Sequence, residues 1–255
     1  MQGDRARRHR SPVALALLGG AGLVVFAVLI ALGTWQVERR TWKLDLIARV
    51  DARVHAAPVA APGPADWPSI SAERDGYRHV RVRGTFLNDR ETQLFASTAL
   101  GNGYWVLTPL RTDAGWTVLV NRGFVPTEQR QPATRPGSQV GGETDVTGLL
   151  RPSEPEGTLL RSNRPGEDRW YSRDVAAIAQ ARGLSGVAPY FIDADAASNP
   201  GKLPVGGLTQ IHFRNSHLVY ALTWYGLALL VVVGAVVVVR DERKRRREDG
   251  GSPVP

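Results

Sequence analysis

The sequence predicts a membrane protein in which two transmembrane α-helices flank an antiparallel β-rich α+β domain outside the cytoplasm. Three observations carry that prediction. Residues 13–32 and 218–239 are apolar runs without a charged side chain. Between them the hydrophobic pattern changes to the period of two that marks half-buried strands. Both ends of the chain are basic, as the cytoplasmic flanks of membrane spans are.

In chain order, residues 1–12 form a basic cytoplasmic tail and residues 13–33 the first span. That run exceeds the roughly 7–15 residues of a signal-peptide core. The small-x-small spacing of Ala31-Leu32-Gly33 is followed by Thr34-Trp35, so the segment reads as an uncleaved helix. Ala16 and Gly20 add one small-xxx-small pair. The extracytoplasmic domain is assigned to residues 34–217. It opens with an amphipathic helix over 34–55, where Trp42, Leu46, Val50 and Val54 recur every four residues. An extended connector follows at 56–68, set by Pro58, Pro62, Pro64 and Pro68.

Beyond the connector, residues 77–86 alternate. Val80, Val82 and Phe86 point to one face, and His79, Arg81 and Arg83 to a solvated cationic one. Further strands are predicted at 91–95, 104–111, 116–121, 145–150, 189–193 and 208–213. Asp113-Ala114-Gly115 suggests a hairpin between two of them. A helix is predicted over 173–182, with Ser172 as N-cap and Gly183 past its end. Strands without a βα rhythm give the β-rich class. The second span, 218–239, is about 33 Å long at ~1.5 Å per residue, enough for a hydrocarbon core of roughly 30 Å. Residues 240–255 return to a basic tail.

The net charge of +8 and pI near 10.4 do not describe a nucleic-acid-binding surface. The first ten residues contribute +3 and residues 240–255 contribute +2, which leaves +3 for everything between. Basic tails beside apolar spans fit cytoplasmic termini better than a phosphate footprint. Arg39, Arg40 and Lys43 lie close outside the first span, but the ten cations of the two tails outweigh them. Catalytic signatures are missing: the sequence has no Gly-x-Ser-x-Gly, Gly-rich phosphate loop or His-Glu-x-x-His pattern, and we read the chain as a non-enzyme. Without Cys, and with Met1 as the sole methionine, it also lacks the soft ligands of a copper carrier. Asn121-Arg122-Gly123 reads first as a strand exit; the alternative makes Arg122 a surface contact for a partner.

His217 opens the second span. On a helix it shares a stripe with Tyr220, Ala221, Trp224 and Ala228, which sets an imidazole, a phenol and an indole around two small residues. One reading makes His217 an interfacial polar residue beside ordinary belt aromatics. The other makes it an axial ligand to a haem iron, with a flat apolar groove below. Trp35, Arg39 and Arg40 likewise read either as a Trp belt with snorkelling arginines or as the mouth of a site for anionic ligand groups.

Several motifs occur in a fixed order: L-G-T-W-Q-V-E-R-R-T-W-K from Leu32, Y-R-H-V-R-V-R-G-T-F from Tyr77, V-N-R-G-F-V-P from Val120, G-L-L-R-P-S-E from Gly148 and N-S-H-L-V-Y-A-L-T-W-Y-G-L-A from Asn215. In that order and between two spans, the chain resembles the surfeit locus protein 1 family, the cytochrome c oxidase assembly factors. The resemblance implies a two-span protein of the bacterial cell membrane, both termini cytoplasmic, that assists haem a insertion into the oxidase catalytic subunit. It implies haem a binding through His217, with Tyr220 and Trp224 as motif neighbours. Arg214, Arg39 and Arg40 would then stand near the propionates, and the enzymes of haem a synthesis would be possible partners beside the lipid bilayer. The alternative is a membrane-anchored structural chaperone that stabilises an oxidase intermediate without binding haem.

Overall fold

A computed structural model describes residues 11–155, 161–196, 203–209, 211, 213 and 215–249. The chain divides into two units, one of residues 1–47 and 213–255, the other of residues 48–212.

In the first unit the N-terminal apolar run belongs to helix α1, Pro12–Val54. Ser11 caps it: its hydroxyl accepts from the Ala14 amide at 3.2 Å, and Pro12 takes the first helical position, where no amide donor is needed. The sequence suggested a span ending at Gly33 and a separate amphipathic helix over 34–55. Instead the helix is continuous through that glycine. Gly33 acts as a packing site, since a Cβ there would lie 2.5 Å from Cε1 of Tyr225.

Helix α4, His217–Asp249, runs ten residues beyond the apolar segment into the basic tail. Arg245 bonds Asp241 at 2.7 Å and Arg246 bonds Glu242 at 3.2 Å, both one helical turn apart. Such pairs favour helix where no Gly or Pro interrupts it. Both helices contain a stretch long and apolar enough to cross a membrane.

The second unit is a β-barrel. Its strands are β1 Val59–Ala60, β2 His79–Phe86, β3 Thr92–Thr98, β4 Gly101–Thr112, β5 Thr117–Pro126, β6 Glu143–Pro152 and β7 Val187–Ala194. The order β1-β2-β6-β7-β5-β4-β3 closes because β2 also pairs with β4, from Gly84↔Thr112 to Phe86↔Leu110. Gly84 makes the closure possible, since a Cβ there would meet the Arg111 carbonyl oxygen at 2.2 Å. The pairings are antiparallel except β5 with β7 and β1 with β2. β2 alternates as its sequence predicts: Val80, Val82 and Phe86 are buried in the barrel with Val118, Val120 and Val146. A second cluster, including Leu107, Leu119, Trp170 and Phe191, lies under α3, Val175–Ala181.

Three local expectations are corrected. The α3 cap is Asp174, whose carboxylate accepts from the Ala177 amide at 3.0 Å; Ser172 is held instead by Asn163 at 2.8 Å. The strand expected at 208–213 is not formed by the described residues there. The chain pairs earlier, at Val205 with Phe124, before Gly206 and a left-handed Gly207 turn it away. His79 is not solvated: its ring lies between the Ala56 carbonyl at 2.8 Å and Asp195 at 3.1 Å. A neighbouring carboxylate and carbonyl give an imidazole a better environment than the flanking arginine side chains predict.

The proline-rich connector is part of the barrel. After α2, Ala72–Asp75, the chain enters β2, and before it Trp67 packs edge-on against Trp116 with ring centroids 5.9 Å apart. The Pro62 carbonyl accepts from the Tyr190 hydroxyl at 2.6 Å and from the Trp67 indole at 3.2 Å. Burial holds the Tyr190 pKa well above the usual phenol range. A raised folded-state pKa stabilises fully below the unfolded value and loses that contribution as pH rises above about 10. Tyr190→Phe is therefore expected to cost about 1 kcal/mol at neutral pH but to flatten the fall of Tm between about pH 10 and 11. Parallel Tm–pH slopes for the two proteins would contradict this. Arg122, whose pKa burial lowers to about 10, acts with the opposite sign in this window and is common to both.

Candidate functional site

His217 is the first residue of α4, and Gln36 lies on α1 one turn above Gly33. The His217 Nδ1 is 2.7 Å from the Gln36 Oε1. With the amide in this orientation the oxygen can only accept, so Nδ1 donates, and the tautomer that this bond selects has its lone pair on Nε2, the atom that could meet a ligand or metal. Eight residues along α4, the Tyr225 hydroxyl is 3.2 Å from the Thr34 hydroxyl, next to Gly33, so the two helices are joined by two hydrogen bonds within one turn of α1.

Ala221 and Ala228 fall on the same face of α4 as His217 and Tyr225 and are 2% and 1% exposed. Tyr220 is 55% exposed and turns away from this face, as does Trp35 at 53%. Trp224 is half-buried, and its indole nitrogen is buried without a hydrogen-bond partner. Arg39 stacks on Trp42 with its guanidinium 4.1 Å from the ring centroid. Arg40 is half-buried one turn after Gln36, and Lys43 lies over Phe213 at 5.1 Å. Arg214 lies outside the described residues.

Of the predicted site residues, then, His217 and Trp224 share a partly buried setting. Tyr220 and Trp35 present open aromatic surface, and the arginines follow along α1. Gln36 was missed by sequence reasoning. The available signal was an uncharged polar side chain between Trp35 and Val37, directly after the apolar run. The residues present suit a haem in donor chemistry, through a half-buried imidazole hydrogen-bonded at Nδ1 and an unpartnered indole N–H. Among the described residues, no group of three or more His, Cys, Asp and Glu side chains is placed to hold a metal ion.

On the β-barrel, two motifs read as separate strand ends converge. Asn121 donates to Asp193 at 2.7 Å, and Arg151 donates to the same carboxylate at 3.1 Å. Arg173 approaches Asp193 at 3.6 Å, and both arginines bond Glu154, at 2.6 and 2.7 Å. Arg151 also lies over the Tyr77 ring at 4.6 Å, beside a cavity of about 390 Å³. Arg122, read as a strand exit or alternatively as a surface contact, is neither: it lies within β5 and is 2% exposed, with its guanidinium 4.9 Å from the Phe86 ring centroid. Its place in β5 follows Val118 and Val120 at period two, which turns it inward.

The SURF1 family model matches residues 23–229, from the first apolar run to the middle of the second. The chain belongs to the SURF1 family. It is 40% identical over 221 residues to Surfeit locus protein 1 of Mus musculus, an alignment covering 80% of this chain and 70% of the relative. Surfeit locus protein 1 of Homo sapiens is 39% identical over 223 residues, with 81% and 72% covered. A SURF1-like protein of Monosiga brevicollis is 37% identical over 241 residues, covering 87% of this chain and 89% of its own. The match takes in both helices of the His217–Gln36 pair and the whole barrel.

Proposed function

We propose that this chain is an assembly factor for cytochrome c oxidase, and that it holds haem a for the maturing catalytic subunit. The observation that carries the haem reading is the His217–Gln36 hydrogen bond. Haem a supplies an iron that takes axial nitrogen ligands, and a neutral imidazole whose Nδ1–H is engaged presents Nε2 for that role. Arg40 and Arg39, one turn beyond Gln36, are the described cations nearest along α1 for acidic propionates; Arg214 is assigned the same role. Trp224, Tyr220 and Trp35 supply aromatic surface. No bond of the bound group is made or broken, so the chain is a holder and not an enzyme. Two membrane-length helices and basic ends support anchorage in a bacterial cell membrane, with both termini cytoplasmic and the barrel outside. The catalytic subunit and the haem a synthesis enzymes are then its partners on either side of the transfer.

The test is the visible spectrum of detergent-purified protein after co-expression with the haem a synthesis enzymes. Wild type is expected to carry haem a, and His217→Ala to lose it with unchanged helicity by circular dichroism. Gln36→Leu is expected to retain haem about 10-fold more weakly, as for other residues that orient a metal-binding imidazole. Wild-type protein free of haem would refute this reading and leave the structural chaperone.

A further inference from the structure

A second cleft, on the β-barrel unit, has a different chemistry. It measures about 270 Å³ and is lined by Arg130, Arg161 and Arg169 together with Phe95, Tyr104 and Tyr171. The Arg130 guanidinium lies 4.6 Å from the Tyr104 ring centroid, and Arg161 lies 5.2 Å from Phe95 and 5.5 Å from Tyr171. The aromatic rings support one another, with Phe95 edge-on to Tyr104 at 6.3 Å. Stacking fixes the plane of a guanidinium and leaves its N–H edge for bidentate bonds to a carboxylate.

The cations in this cleft are unequally matched. Asp168 is held by Arg182 at 2.6 Å and by the Trp170 indole at 2.8 Å, and Arg169 pairs with Glu167 at 3.2 Å. Among the described residues, neither Arg130 nor Arg161 has a carboxylate within ion-pair distance, and the Arg130 Nε is buried without a hydrogen-bond partner. A buried guanidinium N–H with nothing to bond is costly, and an anion from outside would relieve it.

We infer that this cleft docks an acidic segment of a partner protein, one or two of whose Asp or Glu side chains bond Arg130 and Arg161. Three features favour a protein segment over a free anion or a lipid headgroup. The volume falls below the roughly 300 Å³ at which small-molecule pockets begin, and suits one or two side chains. The walls are aromatic, with Phe95 37% exposed, so the CH₂ stems of acidic side chains would find apolar contact. Arginine interleaved with aromatic residues is also the composition of protein-interface hot spots. This inference is independent of the haem reading, since no residue is shared.

The test uses the full chain in detergent, with arginine labelled by ¹⁵N, and hexaglutamate as the probe. The peptide is expected to shift the Nε–H resonances of Arg130 and Arg161, identified through Arg130→Lys and Arg161→Lys. The double variant Arg130→Gln/Arg161→Gln is expected to weaken binding at that site about tenfold. Arg83→Gln removes an exposed cation outside the cleft and is expected to leave it within about twofold. Shifts confined to the tail arginines, or equal weakening by Arg83→Gln, would overturn the inference as mere attraction to net positive charge. Inorganic phosphate or phosphatidylglycerol vesicles moving the same two resonances at lower concentration than the peptide would overturn it in favour of a free anion or a membrane.

Discussion

Asp193→Ala is expected to cost about 3–5 kcal/mol of barrel stability, the range for removing one partner of a buried charge network. The carboxylate is 4% exposed and accepts from Asn121 and Arg151 while Arg173 stands at 3.6 Å. Truncation would leave two guanidinium groups beside a cavity with only the half-exposed Glu154 to balance them. It would also release the Asn121 amide, whose carbonyl oxygen accepts from the Gly123 amide at 3.2 Å. For a domain of this size each kcal/mol lowers Tm by about 2–4 °C, so a fall of roughly 10 °C is anticipated in thermal melts followed by circular dichroism. Asp193→Asn keeps an acceptor for Arg151 and should fall between. An alanine variant within about 1 kcal/mol of wild type would mean that the network is solvated and contributes little.

The network also marks where sequence reasoning stops. Periodicity reports which face a residue takes, and it placed Val80, Val82 and Phe86 inward and the 113–115 turn between β4 and β5. The two membrane-length runs were equally plain, because burial in lipid needs only length and apolarity. Barrel closure was not legible, since β2 meets β4 over three residue pairs in a register set by the Gly84 contact. The convergence of Asn121, Arg151 and Asp193 was hidden because β7 pairs between β6 and β5, and strand order is not written in the period of any one strand. Arg122 was misread because Gly123 was taken for a turn, whereas β5 runs on to Pro126 and keeps Arg122 in the Val118, Val120 alternation. In the helical unit, His217 was legible as an ionisable residue at the start of a long apolar run. Its partner was not, because Gln36 gains its meaning from the opposite helix. The span was bounded at Gly33 because the apolar run ends there, but a change from apolar to amphipathic pattern need not break a helix, and α1 continues through it.

Gly123→Val is expected to destabilise the barrel by more than about 3 kcal/mol, because two separate costs fall on one residue. Its φ of +122° is a conformation that residues with a Cβ rarely adopt. A Cβ there would also lie 2.1 Å from the Val205 carbonyl oxygen, against backbone that has no side-chain freedom to yield. The adjacent residue makes the consequence specific. Phe124 and Val205 exchange both backbone hydrogen bonds, at 2.9 and 2.8 Å, and this pairing ties the described stretch 203–209 to β5. Gly207 and Leu208 of that stretch line the cavity beside Asp193, so losing the pairing opens the cavity wall as well. Gly123→Ala meets the same geometry with a smaller side chain and should lose nearly as much, since both costs arise at Cβ. Hydrogen exchange separates this account from general unfolding: the amides of Phe124 and Val205 should lose protection in the alanine variant before those of Val118 and Val120 deep in the barrel. Simultaneous loss at all four would show that the strand ends and the barrel centre open as one unit, and would remove the claim that Gly123 serves the Val205 contact in particular.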